Sequence, residues 1–194
     1  MRKWQNYKCD IWKLSTLHKG FFPYTKLLGI RGKLVNFYEQ SIEMKRTLLE
    51  ASIGRVTIAA NGLESSLKLV ISILTTDNDE SFEKEYNKIR TLGVLIQRAV
   101  DLDIFDNLTN AMLRRACKIR NEFTHALSEK YTNSINSQGS MYDLIQEFVT
   151  FREELNQAAH AVNQKLNEMA SNGGVNLDDV KTRAKKALQA WENA

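Results

Sequence analysis

Three side chains near residue 120 form the one credible chemical site in this sequence: Arg120, Asn121 and His125. An imidazole titrates near neutral pH, so it can take up or release a proton during a reaction. A guanidinium offers a planar, permanently charged set of donors for phosphate oxygens. A carboxamide can orient either group through hydrogen bonds. The three residues are therefore the candidate site of this chain, with groups suited to proton transfer and to the binding of an anion.

The surrounding pattern predicts that this cluster lies on the outer side of an amphipathic helix. At 100° per residue, Asn121 and His125 share a face that points away from the apolar stripe of that helix. Arg114 and Cys117 lie on the same face, and the long side chain of Arg120 can reach over it. A solvated helix end that carries a histidine is the alternative explanation. The predicted apolar stripe consists of Phe105, Leu108, Met112, Ala116, Ile119, Phe123 and Ala126.

The rest of the chain predicts an all-α protein, an antiparallel bundle of about five to six helices. The single proline, Pro23, and the lack of strictly alternating β-branched runs favour long helices over a sheet. Polar or glycine-containing segments separate stretches of helical apolar periodicity. The predicted helices span about 36–49, 51–74, 81–102, 104–127, 141–169 and 176–191, with Ser81 as the cap of the third and Asn176 as the cap of the last.

Residues 1–36 differ in character from the rest of the chain, and we assign them to an N-terminal arm and residues 37–194 to the helical domain. The arm interleaves aromatic and basic residues and shows poor helical periodicity. The first 46 residues hold ten basic and three acidic side chains, so they carry +7 of a chain whose net charge is +4. Such an arm can pack irregularly on the body, contact nucleic acid through phosphates and base stacking, or touch a membrane surface.

Other kinds of chemistry have little support in the sequence. Cys9 and Cys117 form no CxxC pair and no metal-ligand spacing with the histidines, so we expect reduced thiols, no metal and no cofactor. His160 lies off the apolar stripe of its helix and His18 stands alone. No apolar stretch approaches the ~20 residues of a membrane span, and no signal-peptide core follows the basic start. We therefore expect a cytoplasmic protein without a membrane partner.

The run RNEFTH at residues 120–125 resembles the R-x4-6-H signature of HEPN domains, including the polar residue directly after the arginine. HEPN domains are small helical bundles that carry this signature late in one core helix. The stretch 91–120, which begins TLG, is similar to the mannitol-operon-repressor-like branch of helical proteins. The resemblance covers about residues 45–170 and leaves the arm without a counterpart.

The resemblance implies a metal-independent endoribonuclease, such as a toxin or a phage-defence effector. Arg120, Asn121 and His125 would be its catalytic residues, and the 2′-hydroxyl of RNA would be the nucleophile. One histidine cannot readily serve as base and acid in one step, and HEPN nucleases usually dimerise. We therefore expect a homodimer whose two motifs share a cleft, with RNA and an antitoxin or other protein as partners.

Two alternatives remain open. The first is a non-catalytic HEPN-like module that binds a protein or a nucleotide, or acts as a regulator of the mannitol-repressor-like kind. The second is a helical domain of unrelated role that carries the motif by accident. Glu122 would oppose RNA phosphate, although its helical angle predicts that it points away from His125.

Overall fold

The computed structural model describes residues 27–30, 33–88, 90–135 and 137–173, together with 179–180, 182 and 184–186 near the C-terminus. Most of the predicted N-terminal arm and its basic-aromatic pattern lie outside the described residues. The proposed cap of the last helix, Asn176, also lies outside them, and that helix is described only in part.

The chain forms an all-α helical bundle, as its sequence predicts. A short hairpin and a 3-10 turn at Phe37–Glu39 precede the bundle. The hairpin consists of the antiparallel strands β1 (Leu27–Ile30) and β2 (Lys33–Asn36), so the end of the predicted irregular arm is in fact a regular element. The helices are α1 (Ile42–Thr75), α2 (Asp79–Tyr86), α3 (Leu92–Asp101), α4 (Asn107–Ser134) and α5 (Gln138–Gly173).

The two longest helices, α1 and α5, pack along each other in the same direction. The ring of Phe37, just before α1, lies 5.4 Å from the ring of Tyr142 near the start of α5. Further along both helices, the Ser66 hydroxyl lies 3.1 Å from the Asn163 side chain and forms a hydrogen bond with it. The bundle therefore contains a parallel pair, which the expected antiparallel arrangement does not include.

Helix α4 packs antiparallel to α5, as expected for neighbouring helices joined by a short turn. The rings of Phe123 and Phe148 are 5.3 Å apart and nearly perpendicular. Towards the start of α4 and further along α5, Arg115 Nε donates to a carboxylate oxygen of Glu154 at 2.7 Å. These contacts determine which side of α4 faces α5, and therefore also which side of α4 does not pack on α5.

Helix α1 is one helix of 34 residues, where the sequence predicted two with a break near residue 50. Ser41 caps it by accepting a hydrogen bond from the Met44 backbone at 3.2 Å. The buried residues Leu49, Ser52 and Val56 continue through the predicted break, and their burial against the core keeps the helix intact. One 18-residue window has a mean hydropathy of 1.2, so α1 has the length and composition of a membrane span, contrary to our expectation. Its large buried side chains nevertheless form the centre of the bundle core.

The single helix predicted over 81–102 is divided into α2 and α3, since the two parts pack in different places. Phe82 and Tyr86 form a small cluster with Val180, whereas the buried face of α3 belongs to the main core. Asn78, and not Ser81, is the N-cap of α2. Ser81 completes the capping box from the third helical position.

The polar segment 128–140, predicted to be a loop, is mostly helical. Helix α4 continues to Ser134, and α5 begins at Gln138. Tyr131 packs against the core, and the buried Ser134 hydroxyl donates to the Lys130 carbonyl at 2.6 Å. These contacts stabilise a serine- and asparagine-rich sequence that has little intrinsic helix propensity.

Candidate functional site

Helix α4 presents the candidate residues because its opposite face is held in the core. Asp106 caps the helix and accepts a hydrogen bond from the Thr109 backbone at 2.7 Å. The predicted stripe is wrong at Leu108, which lies in the first turn and is 71% exposed. Leu113, which the predicted stripe omits, is fully buried. The residues that anchor α4 are Leu113, Ala116, Ile119 and Phe123.

An open cleft of about 790 Å³ lies between α3 and α4. The residues that helix geometry placed on one face lie along one wall of this cleft: Arg114, Cys117, Asn121 and His125. Lys118 and Glu122 complete the α4 wall, and the α3 wall consists of Gly93, Ile96 and Gln97.

The imidazole of His125 is exposed, and it makes no hydrogen bond within the described part of the chain. It is therefore not a core histidine held by a neighbour. Both ring nitrogens are free to meet a ligand that enters the cleft.

Asn121 is linked to Arg120 and not to His125. Its Oδ1 accepts a hydrogen bond from Arg120 Nη1 at 3.4 Å, and its Nδ2 lies 3.9 Å from the sulfur of Cys117. Arg120 itself is half-buried and is not among the residues that line the cleft. The carboxamide therefore contacts the guanidinium, and the role that this contact supports for Asn121 is the orientation of Arg120.

Arg120 and His125 point in different directions on the same helix. Five residues correspond to about 140° of rotation and about 7.5 Å of rise. One copy of α4 therefore does not bring its own guanidinium and imidazole to one point. A ligand that meets both groups must be long, or the second group must come from another copy.

The charge of the cleft is mixed. Glu122 lines it together with His125, although its carboxylate also lies near Lys130 and Arg115, whose own carboxylate partners are on α5. Its oxygen lies 3.9 Å from Lys130 Nζ, at the limit of an ion pair. Arg114 and Lys118 are exposed and have no ion pair within the described residues. Sequence reasoning missed Lys118, although its position four residues after Arg114 was the signal that places it on this face.

The remaining sequence candidates contribute little. His160 is exposed on α5, as expected for an ordinary surface residue. Within the described residues, no group of three His, Cys, Asp or Glu side chains could hold a metal ion. Cys117 is a free, partly buried thiol at the cleft wall.

Comparison with known proteins identifies no relative of this chain. No protein-family model, no curated protein and no solved structure matches it. The kinship suggested by residues 120–125 therefore remains a resemblance of motif and pattern.

Proposed function

We propose that this protein is a metal-independent endoribonuclease of HEPN type, a cytoplasmic toxin or phage-defence effector that acts as a homodimer. One observation carries the proposal. His125 is exposed in an open cleft and has no hydrogen-bond partner among the residues that the structure describes, and the cleft wall also presents the cations Arg114 and Lys118. An unpartnered imidazole beside positive charge suits acid–base chemistry on a polyanion.

The reaction that these groups support needs no external nucleophile. The imidazole of His125 removes the proton of a 2′-hydroxyl, whose oxygen forms a bond to the adjacent phosphorus while the bond from phosphorus to the 5′-oxygen breaks. The products are a 2′,3′-cyclic phosphate and a 5′-hydroxyl end. In the proposed dimer, Arg120 of the second copy, oriented by its own Asn121, stabilises the charge on the phosphorus oxygens as it develops.

The leaving 5′-oxygen requires a proton from a second group. In the proposed dimer, the partner's His125 supplies that proton. The partner's Arg120 contacts the phosphate, which the Arg120 on the same helix as the first His125 does not reach. The divergence of Arg120 and His125 on α4 is the structural reason to expect two copies at one cleft.

Cleavage of RNA in the presence of EDTA tests this proposal. The parent protein is incubated with total RNA and with a defined single-stranded RNA, beside the variants His125→Ala, Arg120→Ala and His160→Ala. We expect cleavage by the parent to leave cyclic-phosphate ends. We expect a loss of at least 100-fold in both motif variants, on the order of the contribution of a positioned acid–base group or an oxyanion-stabilising group.

His160→Ala is the matched control, because it removes an exposed histidine from α5, away from the cleft. It should cleave at the rate of the parent protein. Equal cleavage by all four proteins would identify a contaminating nuclease. No cleavage by the parent would overturn the proposal.

One observation favours a second candidate, a non-catalytic HEPN-like module that binds a partner protein. Glu122 places a carboxylate on the same wall as His125, and a carboxylate repels phosphate. A parent protein without cleavage that still co-purifies with one stoichiometric protein would favour this candidate. An antitoxin that binds the cleft of an active nuclease would instead block cleavage when it is added back.

A further inference from the structure

We propose that Arg114 and Lys118 form a phosphate-binding subsite that holds the RNA strand beyond the scissile bond. This inference rests on the proposed ribonuclease function, because it takes the strand to be RNA. It assigns two residues that the RNEFTH motif does not contain, and it gives the direction of the strand along α4, from His125 towards the start of the helix.

Positive charge is unevenly distributed around α4. The helix carries five basic residues, and those near α5 are neutralised by its carboxylates. Arg115 pairs with Glu154 at 2.7 Å, and Lys130 pairs with Glu147. The cations on the cleft wall, Arg114 and Lys118, form none of the ion pairs found within the described residues. The two consecutive arginines therefore differ. Arg115 forms an ion pair with Glu154 of α5, whereas Arg114 lines the cleft, where a ligand can reach it.

The spacing of the two cations matches a strand that follows the helix. Arg114 and Lys118 are four residues apart, so their side chains lie one above the other on one wall. At 1.5 Å per residue, Lys118 lies about 10 Å and Arg114 about 16 Å from His125 along the helix axis. These lengths correspond to roughly three and five phosphate steps of a stacked strand. A strand whose scissile phosphate sits at His125 therefore reaches both cations.

The opposing charge lies at the other end of the wall. Glu122 is the carboxylate on the α4 wall, and it lies between Lys118 and His125 in the chain. Lys130 partly offsets its charge at 3.9 Å. Arg114 and Lys118 lie on the far side of Glu122 from His125, where the α4 wall presents no carboxylate among the described residues. Phosphate binding is therefore favoured at this end of the cleft.

Equilibrium binding tests the subsite without relying on catalysis. A labelled single-stranded RNA of eight nucleotides is titrated with the His125→Ala protein, in which cleavage is blocked, at several salt concentrations. The double variant Arg114→Gln/Lys118→Gln is compared with Arg115→Gln/Lys165→Gln, both made in the His125→Ala background. Both double variants lose two positive charges, but the control pair loses charges that contact Glu154 and Glu168.

We expect the cleft variant to reduce the slope of log affinity against log salt by about 1.4, because each phosphate contact on a single strand contributes about 0.7. Its deficit in affinity should shrink about sevenfold as salt rises from about 50 to about 200 mM. The control variant should keep the slope of its parent. A dinucleotide, which is too short to reach Lys118, should bind both double variants equally.

The subsite and the nuclease can fail separately. If the slope changes as expected while the parent cleaves no RNA, the subsite stands and the ribonuclease proposal fails. If the parent cleaves RNA but both double variants bind with equal slopes, the subsite is overturned. It is also overturned if the His125→Ala protein does not bind the eight-nucleotide RNA at low salt. Unfolding midpoints of the two double variants confirm that each compared protein is folded.

Discussion

At the level of single residues, the chemistry of the cleft depends on one carboxylate among cationic and neutral side chains. Glu122 lines the cleft with His125, Lys118 and Arg114, so it lowers the positive potential that an RNA strand would meet. Its nearest cation, Lys130, is mainly engaged by Glu147. The charge of Glu122 therefore remains partly available to act on a ligand.

Replacement of this carboxylate should tighten RNA binding. We expect Glu122→Gln, in the His125→Ala background, to raise the affinity for single-stranded RNA about 2- to 5-fold at low salt. This range corresponds to about 0.4–1 kcal/mol, the usual scale of an exposed charge–charge interaction. Fluorescence anisotropy at two salt concentrations measures it, and the gain should fade at high salt.

Glu129→Gln is the control, because it removes the same charge from an exposed position on α4 that does not line the cleft. An equal gain in both variants would mean that only the overall charge matters, and the local effect of Glu122 would be refuted.

Helix geometry alone predicts that Arg114, Cys117, Asn121 and His125 share a face, and they do line one cleft. It could not show that Glu122 joins them. Glu122 is about 60° from His125 around the helix. Whether such a residue lies inside a cleft depends on where α3 packs, and the sequence does not reveal that long-range contact.

At the level of elements, the junction between α2 and α3 depends on a cluster of cations around the buried carboxylate of Glu85. Glu85 is 7% exposed, and its carboxylate contacts Lys88 at 2.7 Å, Arg90 at 2.5 Å and Arg98 at 3.0 Å. Burial alone would raise the pKa of Glu85. Hydrogen bonds from Arg90 and Lys88 and the charge of Arg98 outweigh it, so the pKa lies below its ordinary value of 4.5. The cluster joins the end of α2 to α3, which forms one wall of the cleft.

Loss of this carboxylate should destabilise the fold in a pH-dependent way. We expect Glu85→Gln to lower the free energy of unfolding by about 1–3 kcal/mol at pH 7, since three cations lose their partner. Because the folded pKa is lowered, the stabilisation is complete above about pH 4.5 and is lost as the pH falls through the folded value. The difference between parent and variant, measured by urea unfolding, should therefore shrink between about pH 5 and the acid limit.

Glu83→Gln, which changes an exposed glutamate of the same helix, should leave the unfolding free energy within about 0.5 kcal/mol of the parent. A Glu85→Gln deficit that stays constant down to about pH 3 would contradict the assignment of the effect to the ionised carboxylate.

The boundaries of the elements were harder to predict than their existence. Apolar periodicity predicts the buried stripe of α5 and most of α1, because each stripe faces the core over most of its length; Leu74, at the end of the α1 stripe, is 49% exposed. Apolar periodicity does not predict the helix boundaries where tertiary contacts determine them. Tyr131 and Ser134 extend α4 into a polar segment, and Phe82 and Tyr86 turn α2 away from α3 towards Val180.

At the level of the whole molecule, the decisive question is whether one chain holds a complete site. Arg120 and His125 diverge on α4, and no second imidazole lies beside His125 among the described residues of the cleft wall. The proposed dimer would resolve both difficulties, since each copy would contribute one imidazole and one guanidinium to a shared cleft. The sequence predicts the motif, but a surface that forms between two copies depends on shape and cannot be read from one chain.

Mixing active and inactive chains tests this composite site. A fixed amount of parent protein is incubated with increasing amounts of His125→Ala until subunits have exchanged, and RNA cleavage is then measured. If both imidazoles are required, each parent chain drawn into a mixed dimer becomes inactive, so a tenfold excess should suppress cleavage about tenfold. Light scattering should give twice the mass of the 22.3 kDa chain for the parent and for the mixture. Undiminished cleavage at that excess, or an active protein that stays monomeric, would show that a single chain performs the reaction.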